Sequence, residues 1–375
     1  MKISIVVHDL KGGGAEKMMV RLANGLAEGG DEVSLVLLTQ GGVNKDFVSS
    51  RVRLVELCAP RTVMSFARLR RYLVAEKPDR ILAALTHVNV IATVVCASCG
   101  MLGRLFVSER NAFSRDKKVN PDPLVRAAYA VAPWLYRLQP NPVIAVSEGV
   151  ARDLVDTTVV RAQDVTWAPN PVLDNDFESV RFAAPSHPWL VSREYPVILA
   201  AGRLAPQKGF DILVRAFAHL VARRQCRLVI YGEGVERPRL EAQIQELGIA
   251  AHVSLPGYTT SVLTEMAHSD LFVLSSRFEG SPNVLVEAMG TGVPVVATDC
   301  PYGPHEILDG GSVAPLAPVE DAEALARALD EGLTVTGEGR ALRLQRARLY
   351  TIANAAQAYR NILMGQPGLK KLAEA

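Results

Sequence analysis

The chain repeats one pattern along most of its 375 residues: a short apolar segment rich in β-branched residues, followed by an amphipathic segment. The apolar segments, such as Lys2–Val7 and Val197–Ala201, are hydrophobic almost throughout instead of alternating with polar residues. Nearly continuous apolar strands between amphipathic helices are typical of parallel sheets that helices cover on both faces. The pattern therefore predicts an α/β protein built on doubly wound parallel sheets.

The alternation occurs twice, with an irregular, proline-rich stretch between the two runs. Strands are predicted at Lys2–Val7, Glu32–Leu38, Val52–Leu57, Arg80–Leu85, Leu105–Ser108, Pro142–Val146, Val165–Ala168, Val197–Ala201, Arg227–Tyr231, His252–Leu255, Leu271–Leu274 and Pro294–Ala297. A chain of this length also exceeds one ordinary domain core. We therefore expect a first Rossmann-like domain over residues 1–172, a linker over 173–195 and a second Rossmann-like domain over 196–345.

The C-terminal segment carries apolar residues at near-helical spacing between Arg340 and Leu363. This spacing predicts one long amphipathic helix, and we expect residues 346–375 to cross back onto the first domain. Two doubly wound domains in series leave a cleft between the carboxyl ends of their strands. A ligand is expected in that cleft.

The formal net charge of +2 gives no reason to expect nucleic acid as a partner. The charge is unevenly distributed, however, because residues 51–137 hold 15 Lys or Arg against six Asp or Glu. A basic face of this kind attracts anionic lipid or a phosphorylated acceptor, although a solvated basic face without a binding role fits equally well. The amphipathic basic helix predicted over Phe66–Ala75 has the same two interpretations.

The N-terminal residues form a strand and reach a glycine run too early for the hydrophobic region of a signal peptide. The apolar stretch Ile81–Val107 is interrupted by His87, Arg104 and glycines, so we do not expect it to span a membrane. Cys96 and Cys99 lack further metal ligands nearby and are interpreted as core residues. These features favour a cytoplasmic protein.

The densest chemical signal follows the predicted strand Leu271–Leu274. Ser281 and Pro282 have the residue types of a helix N-cap and a first helical position. The start of such a helix presents N–H groups and a positive dipole end to an anion. Together with a loop glycine, the helix start gives a predicted nucleotide-binding segment of four residues: Gly280, Ser281, Pro282 and Asn283.

Two carboxylates eight residues apart flank this predicted helix start. Glu279 falls in the loop, whereas Glu287 falls inside an otherwise apolar helix, where a carboxylate needs a partner. One carboxylate could accept hydrogen bonds from sugar hydroxyls and the other from a ribose diol. Acidic residues near a helix start also stabilise the helix itself, so a purely structural role remains open.

Two cations follow the strand that opens the second domain. Arg203 and Lys208 lie between Gly202 and Gly209, and glycine permits close approach of a ligand to the backbone. A guanidinium and an ammonium can together neutralise a diphosphate. We therefore predict that both cations bind the diphosphate of a nucleotide beside the helix start.

Weaker signals lie at strand ends in the first domain. The glycine run that includes Gly13 and Gly14 would let a ligand contact the backbone. His87 after the fourth strand, and the segment Ser108-Glu-Arg-Asn111 after the fifth, would face the same cleft. Each of these features could equally be structural.

Other motifs argue against a metal or a different chemistry. Asp174-Asn-Asp176 has the D-x-D form of a manganese site but falls in the predicted linker, so no metal is expected there. The dinucleotide fingerprint and the P-loop, zinc-protease and serine-hydrolase motifs are absent.

Together these residues resemble the retaining GT-B glycosyltransferases, specifically glycosyltransferase family four with its E-x7-E pair. The segments that carry the resemblance span almost the whole chain: Gly13-Gly-Ala-Glu16, Ser108-Glu-Arg-Asn111, Val146-Ser-Glu-Gly149, Pro169-Asn-Pro-Val172, Gly202-Arg203, Lys208-Gly209, Tyr231-Gly-Glu-Gly234, Glu279 with Glu287, and Pro294-Val-Val-Ala-Thr-Asp299. Ser281 and Gly290 depart from the usual residues at their positions, and neither departure removes a charge.

The resemblance implies a GT-B fold and a nucleotide-sugar donor, with a UDP-sugar expected. The implied contacts are the diphosphate for Arg203 and Lys208, the ribose for Glu287, and the donor sugar for Glu279, His87 and the Gly13-Gly14 turn. Chains that combine G-G-A-E with S-E-R-N resemble enzymes that build lipid-linked oligosaccharides or bacterial surface polysaccharides.

The sequence thus predicts a retaining enzyme that moves a hexose or N-acetylhexosamine from a nucleotide sugar to a lipid-linked or polysaccharide acceptor, without metal or prosthetic group. The predicted catalytic residues are Arg203, Lys208, Glu279 and His87. We expect a cytoplasmic protein, either free or peripheral on the inner face of the membrane. The alternatives are a non-catalytic nucleotide-sugar-binding protein, an epimerase of the same fold and, with less support, an NAD(P)-dependent oxidoreductase.

Overall fold

The computed structural model describes residues 1–11, 14–119, 122–335, 337 and 339–366. The chain divides into two compact units. The first unit holds Met1–Val172 and the C-terminal segment that begins at Tyr350, and the second holds Leu173–Leu349. Each unit is built on one parallel sheet with helices packed on it.

The first unit contains a seven-stranded sheet in the order β3-β2-β1-β4-β5-β6-β7. Its strands are β1 Lys2–Val7, β2 Glu32–Leu37, β3 Arg53–Glu56, β4 Arg80–Ala84, β5 Leu105–Glu109, β6 Val143–Ala145 and β7 Val165–Trp167. Its helices are α1 Gly14–Glu28, α2 Phe66–Glu76, α3 Thr86–Ser98, α4 Phe113–Val119, α5 Pro123–Arg137 and α6 Glu148–Thr157, with α15 Ile352–Leu363 from the C-terminal segment. The direction in which successive strands are added reverses between β1 and β4.

Helices α1 and α15 cover one face of the first sheet. Met19 and Leu22 of α1 and Tyr359 of α15 share a core cluster with Ile3 and Ile5 of β1. All but the first residue of β1 are buried, because both faces of the central strands are covered.

The second unit contains a six-stranded sheet in the order β10-β9-β8-β11-β12-β13. Its strands are β8 Val197–Ala201, β9 Arg227–Tyr231, β10 Val253–Gly257, β11 Leu271–Leu274, β12 Val295–Thr298 and β13 Leu316–Ala317. Its helices are α7 Pro188–Ser192, α8 Phe210–Val221, α9 Arg237–Glu246, α10 Val262–His268, α11 Asn283–Thr291, α12 Pro304–Ile307, α13 Ala322–Gly332 and α14 Arg340–Arg348. Here the direction reverses between β8 and β11.

The prediction of two doubly wound parallel-sheet domains is confirmed. All the predicted strands are present, with ends that shift by one or two residues. The sequence pattern did not predict the two-residue strand β13 or the short helices α4, α7 and α12, because four to seven helical residues or a two-residue strand are too short to show a period.

The single long C-terminal helix predicted over Arg340–Leu363 is wrong. The chain forms α14 and α15 separately, and Thr351 between them adopts an extended conformation. Its hydroxyl accepts a hydrogen bond from the Asn354 N–H and so caps a new helix start, as threonine often does. The neighbouring Tyr350 carbonyl is taken by the Val172 N–H.

The segment expected as a linker, 173–195, belongs to the second unit and packs on it. Leu173 lies against Gly290, where an added Cβ would meet its methyl groups at 2.9 Å. The backbone N–H and hydroxyl of Ser186 both donate to the buried carboxylate of Glu265. These contacts give the proline-rich stretch a fixed path.

No helix within the described part of the chain is long and apolar enough to cross a membrane.

Gly25 tests the contact between α1 and α15. A Cβ added there would meet Ile352 Cγ2 at 2.6 Å and Ala356 Cβ at 3.0 Å. We expect Gly25→Ala to destabilise the first unit by about 1–3 kcal/mol through overpacking, although alanine favours a helix by about 1 kcal/mol over glycine. The measurement is the melting temperature by scanning calorimetry.

Gly14→Ala is the matched control, because nothing lies within 4 Å of a Cβ added at the first residue of α1. A rise in melting temperature for Gly25→Ala, equal to that of the control, would contradict the packing described here.

Candidate functional site

The candidate site of the second unit lies at the carboxyl ends of β8 and β11. These two strands pair directly, and the direction of strand addition reverses between them. Loops that leave such a position diverge to opposite sides of the sheet and open a crevice, where ligands of doubly wound proteins bind. The residues that follow the two strands are those singled out in the sequence, Arg203 with Lys208 and Glu279.

The loop after β8 is fixed by close backbone contacts. Gly209 has a φ of 61°, and a Cβ there would overlap the Ser275 carbonyl oxygen. A side chain at this position would therefore be strained and would clash. The Ser275 hydroxyl donates to the Lys208 carbonyl at 2.9 Å, so the two loops are joined next to the lysine.

Lys208 forms the central contact of the site with Glu279. The ammonium Nζ lies 2.6 Å from Glu279 Oε1, and the hydroxyl of Ser276 donates to the same oxygen at 2.6 Å. Glu279 is only 7% exposed. The stem of Lys208 runs past Gly202, whose added Cβ would meet Lys208 Cε at 3.4 Å. The structure thus brings together a cation from one strand end and a carboxylate from the other.

Arg277 holds the two loops in register. Its guanidinium makes a two-pronged ion pair with Asp211, both distances being 2.8 Å, and donates to the Pro206 carbonyl at 2.7 Å. It also pairs with Glu320. Burial raises the pKa of Asp211, but the hydrogen bonds and charge of Arg277 outweigh burial and bring it below its ordinary value. The sequence analysis gave neither Arg277 nor Asp211 a role, although both stand beside residues it selected.

Arg203 differs from Lys208 in its surroundings. Its side chain is exposed, and within the described part of the chain no hydrogen bond or ion pair to its guanidinium is found. The backbone beside it is anchored, because the Leu204 N–H donates to the Glu233 carbonyl at 2.9 Å. Arg203 thus provides an exposed guanidinium on a fixed loop.

Helix α11 begins one residue later than predicted. Pro282 occupies the N-cap position, with a non-helical ψ of 91°, and the first helical residue is Asn283. The reason is that the Pro282 carbonyl accepts the first helical hydrogen bond, from the Leu285 N–H at 3.0 Å. Ser281 therefore lies before the cap.

The remaining predicted residues of this segment are partly exposed at the helix start. Gly280, Ser281 and Asn283 are all of intermediate exposure, and so is Glu287 in the second turn of α11. The Glu279 N–H donates to the Pro301 carbonyl at 3.1 Å, which anchors the loop before the helix. The N–H groups of the first helical turn point out of the helix start.

The first unit carries two imidazoles at the position where its own direction of strand addition reverses, which we call its strand reversal. His8 follows β1 and His87 follows β4, and their ring centroids are 5.3 Å apart in an edge-to-face arrangement. His8 Nδ1 is 2.9 Å from the Thr62 hydroxyl. The sequence analysis gave His8 no role of its own, although its position directly after the first strand was an available signal.

His87 lies in the first turn of α3 and not on the end of a strand. The strand ends at Ala84, because Leu85 has a φ of 82° and turns the chain into the helix. Burial, with a smaller contribution from the charge of His8, lowers the pKa of His87 to about 4. The imidazole of His87 is therefore neutral near pH 7. Of the predicted glycines, Gly14 opens α1, and Gly13 lies outside the described residues.

The segment Ser108-Glu-Arg-Asn111 is mostly framework. Ser108, Glu109 and Arg110 are at most 5% exposed, and Arg110 donates to the Tyr359 hydroxyl at 2.7 Å. Burial raises the pKa of Glu109 to about 7 against the opposing effect of its hydrogen-bond donors. Only Asn111 is exposed. Burial thus removes three of the four residues from contact with an acceptor.

Groups of three or more His, Cys, Asp or Glu side chains arranged to hold a metal ion are not found among the described residues.

Comparison with known proteins assigns the chain to a family. The family model described as Glycosyltransferase Family 4 matches residues 12–176, and that described as Glycosyl transferases group 1 matches residues 195–334. The chain belongs to the glycosyltransferases, with a family 4 domain first and a group 1 domain second. The two matches fall on the first and the second unit respectively.

Individual glycosyltransferases agree with this assignment, one over most of the chain and one over about a third of it. The chain is 27% identical over 335 residues to the lipopolysaccharide core biosynthesis glycosyltransferase LpsE of Rhizobium meliloti. This match covers 86% of each protein. It is 35% identical over 132 residues to an N-acetylgalactosaminyltransferase of Campylobacter jejuni that acts on a diphospho-undecaprenol substrate, covering 35% of this chain and 36% of that enzyme.

The fold of this glycosyltransferase is GT-B, as predicted. The structure of Anabaena HepE in complex with UDP superposes with a TM-score of 0.77, covering 97% of this chain and 100% of HepE at 21% identity.

The ion pair between Arg277 and Asp211 predicts a non-additive effect on sugar transfer. Removing either partner frees the loops that position Lys208 and Glu279, and small displacements in a site cost large factors in rate. We expect Arg277→Ala and Asp211→Ala each to lower kcat roughly tenfold or more, and the double variant to be no slower than the slower single variant. Initial transfer rates measure this.

The matched control is Arg239→Ala, which removes an exposed ion pair with Glu236 on α9. If the rate losses of the two single variants add up in the double variant, Arg277 and Asp211 do not act as one unit.

The lowered pKa of His87 predicts a pH dependence of stability. The unfolded chain, with an ordinary histidine pKa of 6.5, binds a proton before the folded chain does at about 4, so acidification through this window favours unfolding. We expect His87→Asn to remove up to about 3 kcal/mol of the stability loss between pH 7 and pH 4. Denaturant unfolding at each pH measures it, with exposed His305→Asn as control. Parallel pH curves for wild type and His87→Asn would refute it.

Proposed function

We propose that the protein is a retaining glycosyltransferase that transfers a hexose or N-acetylhexosamine from a UDP-sugar to a lipid-linked or polysaccharide acceptor. The observation that carries the proposal is the Lys208–Glu279 contact of 2.6 Å at the strand reversal of the second unit. It puts a cation for the leaving diphosphate and an acceptor for sugar hydroxyls beside the start of α11.

The diphosphate is held by electrostatic groups of the protein, and the reaction needs no metal. Glu279 occupies one of the three N–H bonds of the Lys208 ammonium, and the other two are directed at the β-phosphate. Exposed Arg203 closes on the same phosphate, and the first N–H groups of α11 donate hydrogen bonds to the remaining oxygens of the diphosphate. These charges stabilise the diphosphate as the anomeric bond breaks.

Carboxylates fix the rest of the donor. Glu287, partly exposed in the second turn of α11, accepts hydrogen bonds from the ribose hydroxyls. Glu279 offers its second oxygen, Oε2, to a sugar hydroxyl, because both protein contacts are made to Oε1. We assign to neutral His87, at the strand reversal of the first unit, a hydrogen bond to a sugar hydroxyl.

Retention of configuration follows from attack on the face that the diphosphate leaves. Glu279 is buried and already accepts two hydrogen bonds, which weakens it as a covalent nucleophile. The departing phosphate serves as the base for the acceptor hydroxyl.

The choice of donor and acceptor is supported by the related proteins. One HepE structure contains UDP, a second contains UDP and glucose, and a third contains UDP-glucose. LpsE is named for lipopolysaccharide core biosynthesis, and the Campylobacter enzyme for a diphospho-undecaprenol substrate. We therefore extend the proposal to a cytoplasmic enzyme with a peripheral contact to the inner face of the membrane.

A thermal-shift panel of UDP-, GDP- and ADP-sugars tests the donor. A ligand present at a hundred times its Kd adds roughly 2.7 kcal/mol to stability, so we expect a clear rise in melting temperature with UDP-sugars. Proton NMR of the transferred sugar then gives the anomeric configuration, which should equal that of the donor. Stabilisation by ADP- or GDP-sugars alone, or an inverted anomer, would contradict the proposal.

The role of Lys208 predicts a large loss of turnover on its removal. We expect Lys208→Ala to lower kcat by on the order of 10²–10³, or about 3–4 kcal/mol, as for other groups that stabilise charge in a transition state. Because the variant leaves Glu279 buried without its cation, Lys208→Gln is measured beside it. Near-native turnover of either folded variant would overturn the assignment.

Arg215→Ala is the matched control, since it removes an exposed cation from α8 in the same unit. Its kcat should equal that of the wild type.

A further inference from the structure

Three helices of the first unit form an outer layer with an unusual surface. Helix α3 packs against both α2 and α5. It contains no Asp, Glu, Lys or Arg at all, and Val94 in its third turn is 43% exposed. The outer faces of surface helices usually carry charge, so this uncharged face requires an explanation.

Helix α5 extends the same apolar face. Leu124, Val131, Trp134 and Leu138 at its C-cap are exposed by 53%, 48%, 64% and 73%. Their spacing of seven, three and four residues places them on one side of the helix. The opposite side is already used for the core, where Tyr129 and Tyr136 are 6% and 1% exposed. The stripe is therefore additional to what folding requires.

Apolar residues before α2 lie on the other side of α3. Val63 and Met64 are 52% and 59% exposed, and the short 3-10 helix Thr62–Ser65 that holds them contacts α3. We call the whole set, from these residues across Val94 to the α5 stripe, the apolar face.

Cations flank the apolar face on both sides. Arg70 and Arg71 are exposed on α2, and Arg126 and Arg137 are exposed on α5. The one acidic residue within these three helices is Glu76, which pairs with Lys2 and Arg53; the helices are covered in full by the described residues. Exposed Asp122, the N-cap of α5, also lies at the edge of the face, but the four arginines outnumber it and leave the rim positive.

Helix α2 alone does not form a binding face. Leu69 and Leu73, which give its sequence an amphipathic pattern, are fully buried in the first unit. Only the combination with α3 and α5 exposes large apolar side chains between cations.

We propose that the apolar face docks on an anionic lipid bilayer, an inference that rests on the proposed function and names the surface for its peripheral membrane contact. The charge pattern selects this occupant: arginines on both sides complement anionic headgroups, while the uncharged centre enters the interface below them. Tryptophan is favoured at this depth because its ring is apolar and its N–H is polar, and Trp134 is the large aromatic of the stripe. A bilayer engages the face without any change of fold.

Vesicle binding tests the proposal without reference to catalysis. Full-length protein is titrated with vesicles of phosphatidylcholine alone and with vesicles that also contain phosphatidylglycerol, by sedimentation and by tryptophan fluorescence. We expect binding only to the anionic vesicles, weaker at high salt, with a blue shift of the emission. Trp134 is exposed and is one of three tryptophans, so the shift should vanish in Trp134→Phe while binding persists.

Two sets of surface variants separate the apolar face from general charge. Trp134→Ser with Leu138→Ser, and Arg70→Gln with Arg71→Gln and Arg126→Gln, should each weaken binding by about tenfold or more. The controls are Phe182→Ser, which removes a 79% exposed aromatic from the second unit, and Arg215→Gln.

Failure of the wild type to bind anionic vesicles, or unchanged binding by both variant sets, overturns the proposal. Light scattering without lipid gives the other decisive outcome. A dimer that is lost in Trp134→Ser with Leu138→Ser would mean that a second copy of the chain covers the face.

Discussion

The ion pair between Lys208 and Glu279 is the contact on which the site depends. A partly buried pair of this kind is stable only when further hydrogen bonds support it. Ser276 donates to the carboxylate, and the Arg277–Asp211 pair fixes both loops. The pair exists because β8 and β11 are neighbours in the sheet, although about 70 residues separate the two side chains. The sheet topology therefore brings the two side chains together, and hydrogen bonds between the loops fix their positions.

The strand reversals of the two units carry different chemistry. That of the second unit holds fixed charges, which suit a diphosphate. That of the first unit holds His8 and His87, 5.3 Å apart, and burial keeps His87 neutral near pH 7. A neutral imidazole can donate or accept a hydrogen bond to a sugar hydroxyl without competing for the phosphates. The same fold, used twice, thus provides a charged site and an uncharged one.

Sequence pattern predicted the strands well because buried parallel strands are nearly continuous apolar runs. It also selected Lys208 and Glu279, since glycines and a helix start mark where a ligand approaches. It could not find Arg277, which holds the loops of these two residues together, because exposed arginines are common and only the fold brings Asp211 to it. It also extended one helix through Thr351, where a capping hydroxyl and a distant backbone contact end the periodic pattern.

The central claim is that Lys208, Arg203 and the start of α11 hold the diphosphate of the donor. A crystal structure of the protein with UDP tests it most directly. The account predicts β-phosphate oxygens within hydrogen-bond distance of Lys208 Nζ and of the first N–H groups of α11, with the ribose hydroxyls on Glu287. A diphosphate bound away from these groups, with Lys208 still paired to Glu279 alone, would contradict it.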